Sequence, residues 1–198
     1  MSLKTRFGNL GNILDFDNLT EENIYVLDSP ILTNSQFKKF KKFFAKKVKV
    51  IDCTFNIEES LKERIELIRE EAETAVREGS TCLILSDKNI TNQKASIPSI
   101  LTVGAVHSHL VKHGLRGYCS LNVECSDAMD THSFAILIGV GATTVNPYLA
   151  IDSIYQRFEK KLFGKSDFET CVNKFKKSID AGLLKIMSKM GISVISSY

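Results

Sequence analysis

No stretch of this 198-residue chain is apolar for long enough to make a membrane-spanning helix, and its first residues lack the apolar core of a secretory signal. Charge of one sign is scarce too: the formal net charge of +3 is too small to imply a nucleic-acid partner. The five cysteines, at 53, 82, 119, 125 and 171, are odd in number and scattered, with no CxxC pair. This pattern argues against a disulfide framework and implies reduced thiols in a cytoplasmic protein. Internal repeats and low-complexity segments are also lacking. What remains is ordinary for one globular domain, with 43% hydrophobic and 25% charged residues in a chain long enough to bury a core.

The residues that are present alternate between two periods. Residues 1–27 mix Gly8 and Gly11 with several Asn and Asp, and read as a leader or linker. A helix is expected from Asn34 or Ser35, both good caps, through QFKKFKKFFAK. KVKVIDCTF (47–55) has the alternation of a strand. ESLKERIELIREEAETAVREG follows as an amphipathic helix, with Leu61, Ile65, Ile68, Ala72 and Val76 on one stripe and Gly79 as its stop. TCLILSD (81–87) is continuously apolar, as a strand buried on both faces would be. Then come a helix over 97–114 with Pro98 in its first turn and a strand in YCSLNVEC. A helix near 129–140, a short strand in GATTVNPY and a helix over 149–163 continue the alternation. A long last helix spans about 168–189 and stops at Gly191. Repeated β-α units of this length predict an α/β fold with a parallel sheet and right-handed crossovers. Four units make either half of an eight-fold barrel or a small open sheet.

Several features invite chemistry. His109 and His113, four apart, share one helix face, whereas His107 lies roughly 200° around from His109. Two ligands are too few for zinc, and Cys119, Cys125 and His132 stand at no recognisable interval, so no metal is expected. Ser108 adjoins two histidines, but sequence adjacency makes no triad. Asp87, just past a strand's C-terminal end, suits an acid or base there and equally a turn cap, the better reading of a lone carboxylate. GVGAT (139–143) lacks the third glycine of GxGxxG and the lysine of a P-loop, and reads as a bend between helix and strand. Seven lysines between 38 and 49 surround Phe37, Phe40 and Phe44 on one helical stripe. That helix either packs its phenylalanines inward or, as the rival reading of the chain as a free-standing binding module, rests on an anionic partner.

Five segments, in order, resemble the central domain of the large subunit of glutamate synthase: DSPILT, EAETAVREGSTCLILSDKN, ASIPSILTVGAVHSHLVKHGLR, THSFAILIGVGATTVNPYLAIDSI and IDAGLLKIMSKMGISVISSY. The likeness covers residues 28–198, and GVGATTVNPYLA and GLLKIMSKMGIS make it specific. It implies a rudimentary, incomplete TIM-barrel-like fold within an iron–sulfur flavoprotein of nitrogen assimilation, which makes two glutamates from glutamine and 2-oxoglutarate. In that family an N-terminal cysteine hydrolyses glutamine and the ammonia passes through a tunnel to an FMN barrel. The partners implied are the amidotransferase and FMN-binding domains, with no nucleic acid and no membrane. This chain departs from the family enzyme in having Met1 where the nucleophile would not be, no FMN-binding segment and no closely spaced cysteines. The family's adjacent histidines are here His107 and His109, separated by Ser108. No catalytic, cofactor-binding or metal residue is therefore carried over, and no cofactor is expected in this chain. The opening MSL reads as a cloning leader and MGISVISSY as a cut edge, so self-association of the fragment as a homodimer near 183–198 is part of the expectation.

Overall fold

Elements alternate along the chain as the two periodicities require. The structure, a computed structural model, describes residues 1–7 and 25–198. Gly8 and Gly11, and with them most of the expected leader, lie outside the described residues. β1 (Thr5–Phe7) pairs antiparallel with β2 (Tyr25–Leu27). There follow α1 (Asn34–Phe44), β3 (Val48–Asp52), β4 (Thr54–Asn56), α2 (Leu61–Arg77), β5 (Cys82–Ser86) and β6 (Lys94–Ser96). α3 (Ser99–Lys112), β7 (Ser120–Glu124), α4 (Thr131–Gly139), β8 (Thr144–Asn146), α5 (Tyr148–Glu159) and α6 (Phe168–Met190) complete it.

The main sheet is parallel throughout, in the order β3-β5-β7-β8, and it does not close. Its order never reverses along the chain. Right-handed crossovers then place α2, α3 and α4 on the same face. The core agrees: Ile51, Leu83, Leu85, Leu121, Val123 and Val145 of the strands share one cluster with Ile68 and Ala72 of α2, Val103 and Val106 of α3, and Phe134 of α4. α6 adds Ile179, Leu183 and Met187 to it. Here α4 and α6 approach closely, because a Cβ at Gly182 would sit 2.5 Å from Thr131 Cγ2. The four β-α units are thus the incomplete, barrel-like run expected of the α/β reading.

The opposite, inner face is covered by α1. Residues 30–32 run along the outer edge of β8, with Val145 N donating to Pro30 O and Leu32 N to Val145 O, both at 2.9 Å. Ser29 Oγ donates to Asp180 at 2.6 Å and Lys176 Nζ to Ile31 O at 2.8 Å, fastening the DSPILT segment to α6. From this edge the chain must reach β3 at the other edge. A right-handed crossover in that reversed direction falls on the opposite face. The 11 residues of α1, about 16 Å long, span it. Phe37, Phe40 and Phe44 bury there against Cys82 and Ile84, while Lys38, Lys39 and Lys42 stay exposed. The inward-packing reading of the lysine-rich helix holds.

Some boundaries differ from expectation for local reasons. The cap of α1 is Thr33, whose Oγ1 accepts from Gln36 N at 3.3 Å while Gln36 Oε1 accepts from Thr33 N at 3.0 Å, a reciprocal capping box. Pro98 is the N-cap of α3, one position before its first turn. The expected strand 47–55 breaks after Asp52, and β4 leaves to pair antiparallel with β6, a ribbon not expected from the sequence. α5 stops at Glu159 because the chain turns over through Lys161 at φ 56°. Gly191, at φ 71°, ends α6 as expected. Gly141 confirms the bend in GVGAT: its φ is +118°, and a Cβ there would overlap the His107 ring.

Phe40 is fully buried at 0% exposure. Phe40→Ala is expected to lower the unfolding free energy by about 3–5 kcal/mol, the cost of emptying a large aromatic site. Replacing Lys38, Lys39 and Lys42 by glutamine should each change it by less than about 0.5 kcal/mol. Urea unfolding of the four variants measures both.

Candidate functional site

Parallel α/β sheets carry their binding loops at the C-terminal ends of the strands. Pairing register brings Asp52, Ser86, Glu124 and Asn146 into one row at that end. With a side-chain period of two, the row beneath, facing the same way, is Val50, Ile84, Asn122 and Thr144. The upper row is polar throughout, and the lower row turns from apolar at Val50 and Ile84 to polar at Asn122 and Thr144.

The polar half is bonded largely within itself, and Asp87 Oδ1 beside it is buried without a hydrogen-bond partner. Thr144 Oγ1 donates to Asn122 Oδ1 at 2.7 Å, and Asn122 Nδ2 donates to Leu83 O at 3.1 Å. Asn146 Nδ2 donates to Leu32 O at 2.9 Å and to Asn34 Oδ1 at 3.0 Å. Glu124, 4% exposed, accepts from Ser86 Oγ at 2.8 Å and meets Lys88 Nζ at 2.9 Å and Lys41 Nζ at 3.4 Å. Burial disfavours its charge, but the Lys88 and Ser86 hydrogen bonds and the two lysine charges outweigh burial and hold the carboxyl below its ordinary 4.5. Asp87, 3% exposed, accepts from Ser126 N at 2.9 Å and Ser126 Oγ at 2.6 Å. It clamps the loop after β7 to the loop after β5, which corrects the turn-cap reading. Tyr148 lies beside it: burial first, then the Asp87 charge, push its phenol well above the usual range. Lys88 Nζ stands 5.0 Å above the Tyr148 ring. An acid–base pair needs an oxygen facing substrate, yet both Glu124 oxygens are held by donors of this chain. The arrangement locks strand ends together.

The histidines fall into two places. Arg116 Nε donates to His107 Nδ1 at 3.2 Å, and the same guanidinium holds Cys119 O at 2.6 Å and Gly141 O at 2.9 Å. Burial, then the Arg116 charge, lower the His107 pKa from its ordinary value. His107 and Arg116 line a cavity of about 330 Å³ at the N-terminal ends of β7 and β8, together with Arg6, Thr143 and Tyr198. On another face of α3, His109 and His113 stack with ring centroids 4.2 Å apart, as their spacing predicts. α2 brings Glu73 to them, a neighbour that no spacing along the chain reveals. Ser108 is exposed, and His132 is exposed on α4.

The glutamate synthase central domain family matches residues 1–198. The large chain of the NADPH glutamate synthase of Azospirillum brasilense is 51% identical over 201 residues, covering 100% of this chain and 13% of that protein. The chain belongs to the glutamate synthase central domain family. A ferredoxin-dependent glutamate synthase from Pyropia yezoensis is 38% identical over 214 residues, covering 100% of this chain and 14% of its own. The NADPH glutamate synthase large chain of Bacillus subtilis is 40% identical over 176 residues, covering 87% and 11%. The chain thus spans between 11% and 14% of the length of these relatives.

Within this glutamate synthase central domain the cysteines are core residues. All five are unpaired and buried. Burial pushes the Cys53 and Cys82 thiols up to about 12, and Cys125 higher still. Cys119 and Cys125 flank β7, about 20 Å apart at strand rise, too far to share a cluster. Among the described residues no helix is long and apolar enough to cross a membrane.

Glu124→Gln is expected to cost about 1–3 kcal/mol at pH 7, where hydrogen bonds to a charged partner are lost. The lowered Glu124 pKa adds stability that is present above 4.5 and lost as the pH falls through the folded value. The gap between the wild type and Glu124→Gln should therefore narrow from pH 7 towards about pH 3. Urea unfolding at both pH values decides it; a gap that widens in acid would contradict the lock.

Proposed function

We propose that this domain serves glutamate synthase as its central connector, joining the amidotransferase and FMN-binding domains and forming part of the wall of the ammonia tunnel between them. The enzyme it serves makes two glutamates from glutamine and 2-oxoglutarate, in the cytoplasm. The domain contributes no catalytic residue to either half-reaction. A match along the whole of this chain to 13% of a glutamate synthase large chain carries this reading.

The chemistry of the residues supports it. A glutaminase nucleophile must be an accessible thiolate, whereas Cys53 is 3% exposed with its thiol pushed up to about 12. An FMN phosphate needs free backbone donors that converge to cradle it. Among the described residues the sheet has four strands, α1 covers its inner face, and in the GVGAT turn Gly141 N already donates to Ile138 O while Arg116 occupies Gly141 O. An iron–sulfur cluster needs converging cysteines, and these are dispersed through the core. The residues present do not fit FMN or a cluster. The rival reading places the basic helix on an anionic partner; its membrane form needs an apolar face to insert, and Phe37, Phe40 and Phe44 are in the core.

Three measurements test the proposal. The purified chain mixed with FMN should leave gel filtration without flavin absorbance, and it should release no glutamate from glutamine. In the full-length enzyme, Cys53→Ala should leave the glutaminase rate at the wild-type value. Stoichiometric retained FMN, or loss of glutaminase with Cys53→Ala in an enzyme that still folds, would overturn it.

A further inference from the structure

The outer surface between α2 and α3 carries a cluster with no part in the connector role. Glu73 projects from α2, and His109 and His113 project from α3. Glu73 Oε2 lies 2.6 Å from His109 Nε2 and 3.8 Å from His113 Nδ1. One ligand atom from each residue falls within 4.8 Å of both others. Arg77 holds the other carboxylate oxygen, with Nε and Nη2 at 2.8 and 2.7 Å from Oε1. One oxygen of Glu73 is thereby oriented and the second is turned towards both imidazoles. That is the division between an outer-shell partner and a ligand.

Distances decide what fits. Zinc bonds of about 2.0–2.1 Å at tetrahedral angles place neighbouring ligand atoms about 3.3 Å apart. The two distances from Glu73, 2.6 and 3.8 Å, bracket that value and the two histidine ligand atoms lie within 4.8 Å of each other, so shifts of up to about 1.5 Å bring all three to it. His109 Nδ1 is buried without a partner, so Nε2 makes the ring's polar contact. His113 Nδ1 donates to His109 O at 2.8 Å, a hydrogen bond that a coordinate bond would replace. The side chains of His109, Glu73 and His113 are 11%, 22% and 33% exposed. The site is firm on its α2–α3 side and open to water on the other.

We propose that Glu73, His109 and His113 form a binding site for a zinc-class divalent cation, with water completing the coordination, across the α2–α3 interface. Two imidazole nitrogens and one carboxylate oxygen suit Zn²⁺ better than Mg²⁺ or Ca²⁺, which prefer oxygen ligands. A bound ion would pin two crossover helices of the half-barrel to each other. This site is independent of the connector role.

Calorimetric titration of the metal-stripped chain with zinc chloride tests it. One saturable site per chain is expected, with a rise in Tm, and magnesium chloride should give neither. Glu73→Gln and His113→Ala should each weaken binding by at least about tenfold, since even outer-shell changes cost 10–100-fold. His132→Ala, on the exposed start of α4, should bind as the wild type does. No saturable zinc site, or a site that survives both Glu73→Gln and His113→Ala undiminished, would overturn the proposal. Because His113 is partly exposed, its variant remains decisive even if Glu73→Gln folds poorly.

Discussion

Everything in this domain rests on the burial of α1 across the inner face of an unclosed parallel sheet. A parallel sheet needs both faces covered, and three crossover helices in a row cover only one. A complete barrel solves the problem by closing around its own side chains. Here the chain crosses from one sheet edge to the other and places three phenylalanines against Cys82 and Ile84. Without that crossing, an apolar sheet face would meet water.

The position of α1 explains the polar row at the strand ends. Lys41 and the first residue of α1 meet the groups that a barrel enzyme would turn towards a ligand. Lys41 meets Glu124, and Asn34 meets Asn146. Satisfying those groups within the chain fixes the register of β7 and β8 beneath the helix. The same contacts leave both Glu124 oxygens engaged by Ser86 and the lysines.

Much of this was legible in the chain, for identifiable reasons. The α2 stripe from Leu61 to Val76 and the α1 stripe of Phe37, Phe40 and Phe44 declare their buried faces through a 3.6-residue period. CLILS declares burial on both faces through continuous apolarity. Family membership came from whole segments such as GVGATTVNPYLA, which no periodicity explains. The Asp87–Ser126 clamp and the Glu73–His109 contact were not legible, because their partners are 39 and 36 residues apart. A local signal existed for one missed feature. SLNVE alternates polar and apolar in a central strand, marking an inner face that is polar at Ser120, Asn122 and Glu124. The Thr33 cap was also readable, from Thr33 and Gln36 three apart.

The segment along β8 has a further consequence. Residues 30–32 take up the hydrogen-bonding edge that the next strand of a barrel would use, and Lys176 and Asp180 of α6 fasten them there. The repeat is therefore terminated by its own upstream chain. Another β-α unit inserted after α5 would first have to evict that segment, breaking the entry to α1 and uncovering the inner face. At the opposite edge, β3 presents Lys49, ion-paired to Glu71 at 2.9 Å, a charged side chain of the kind that discourages edge-to-edge pairing. The fold is thus protected from lengthening at one margin by occupancy and discouraged from it at the other by charge.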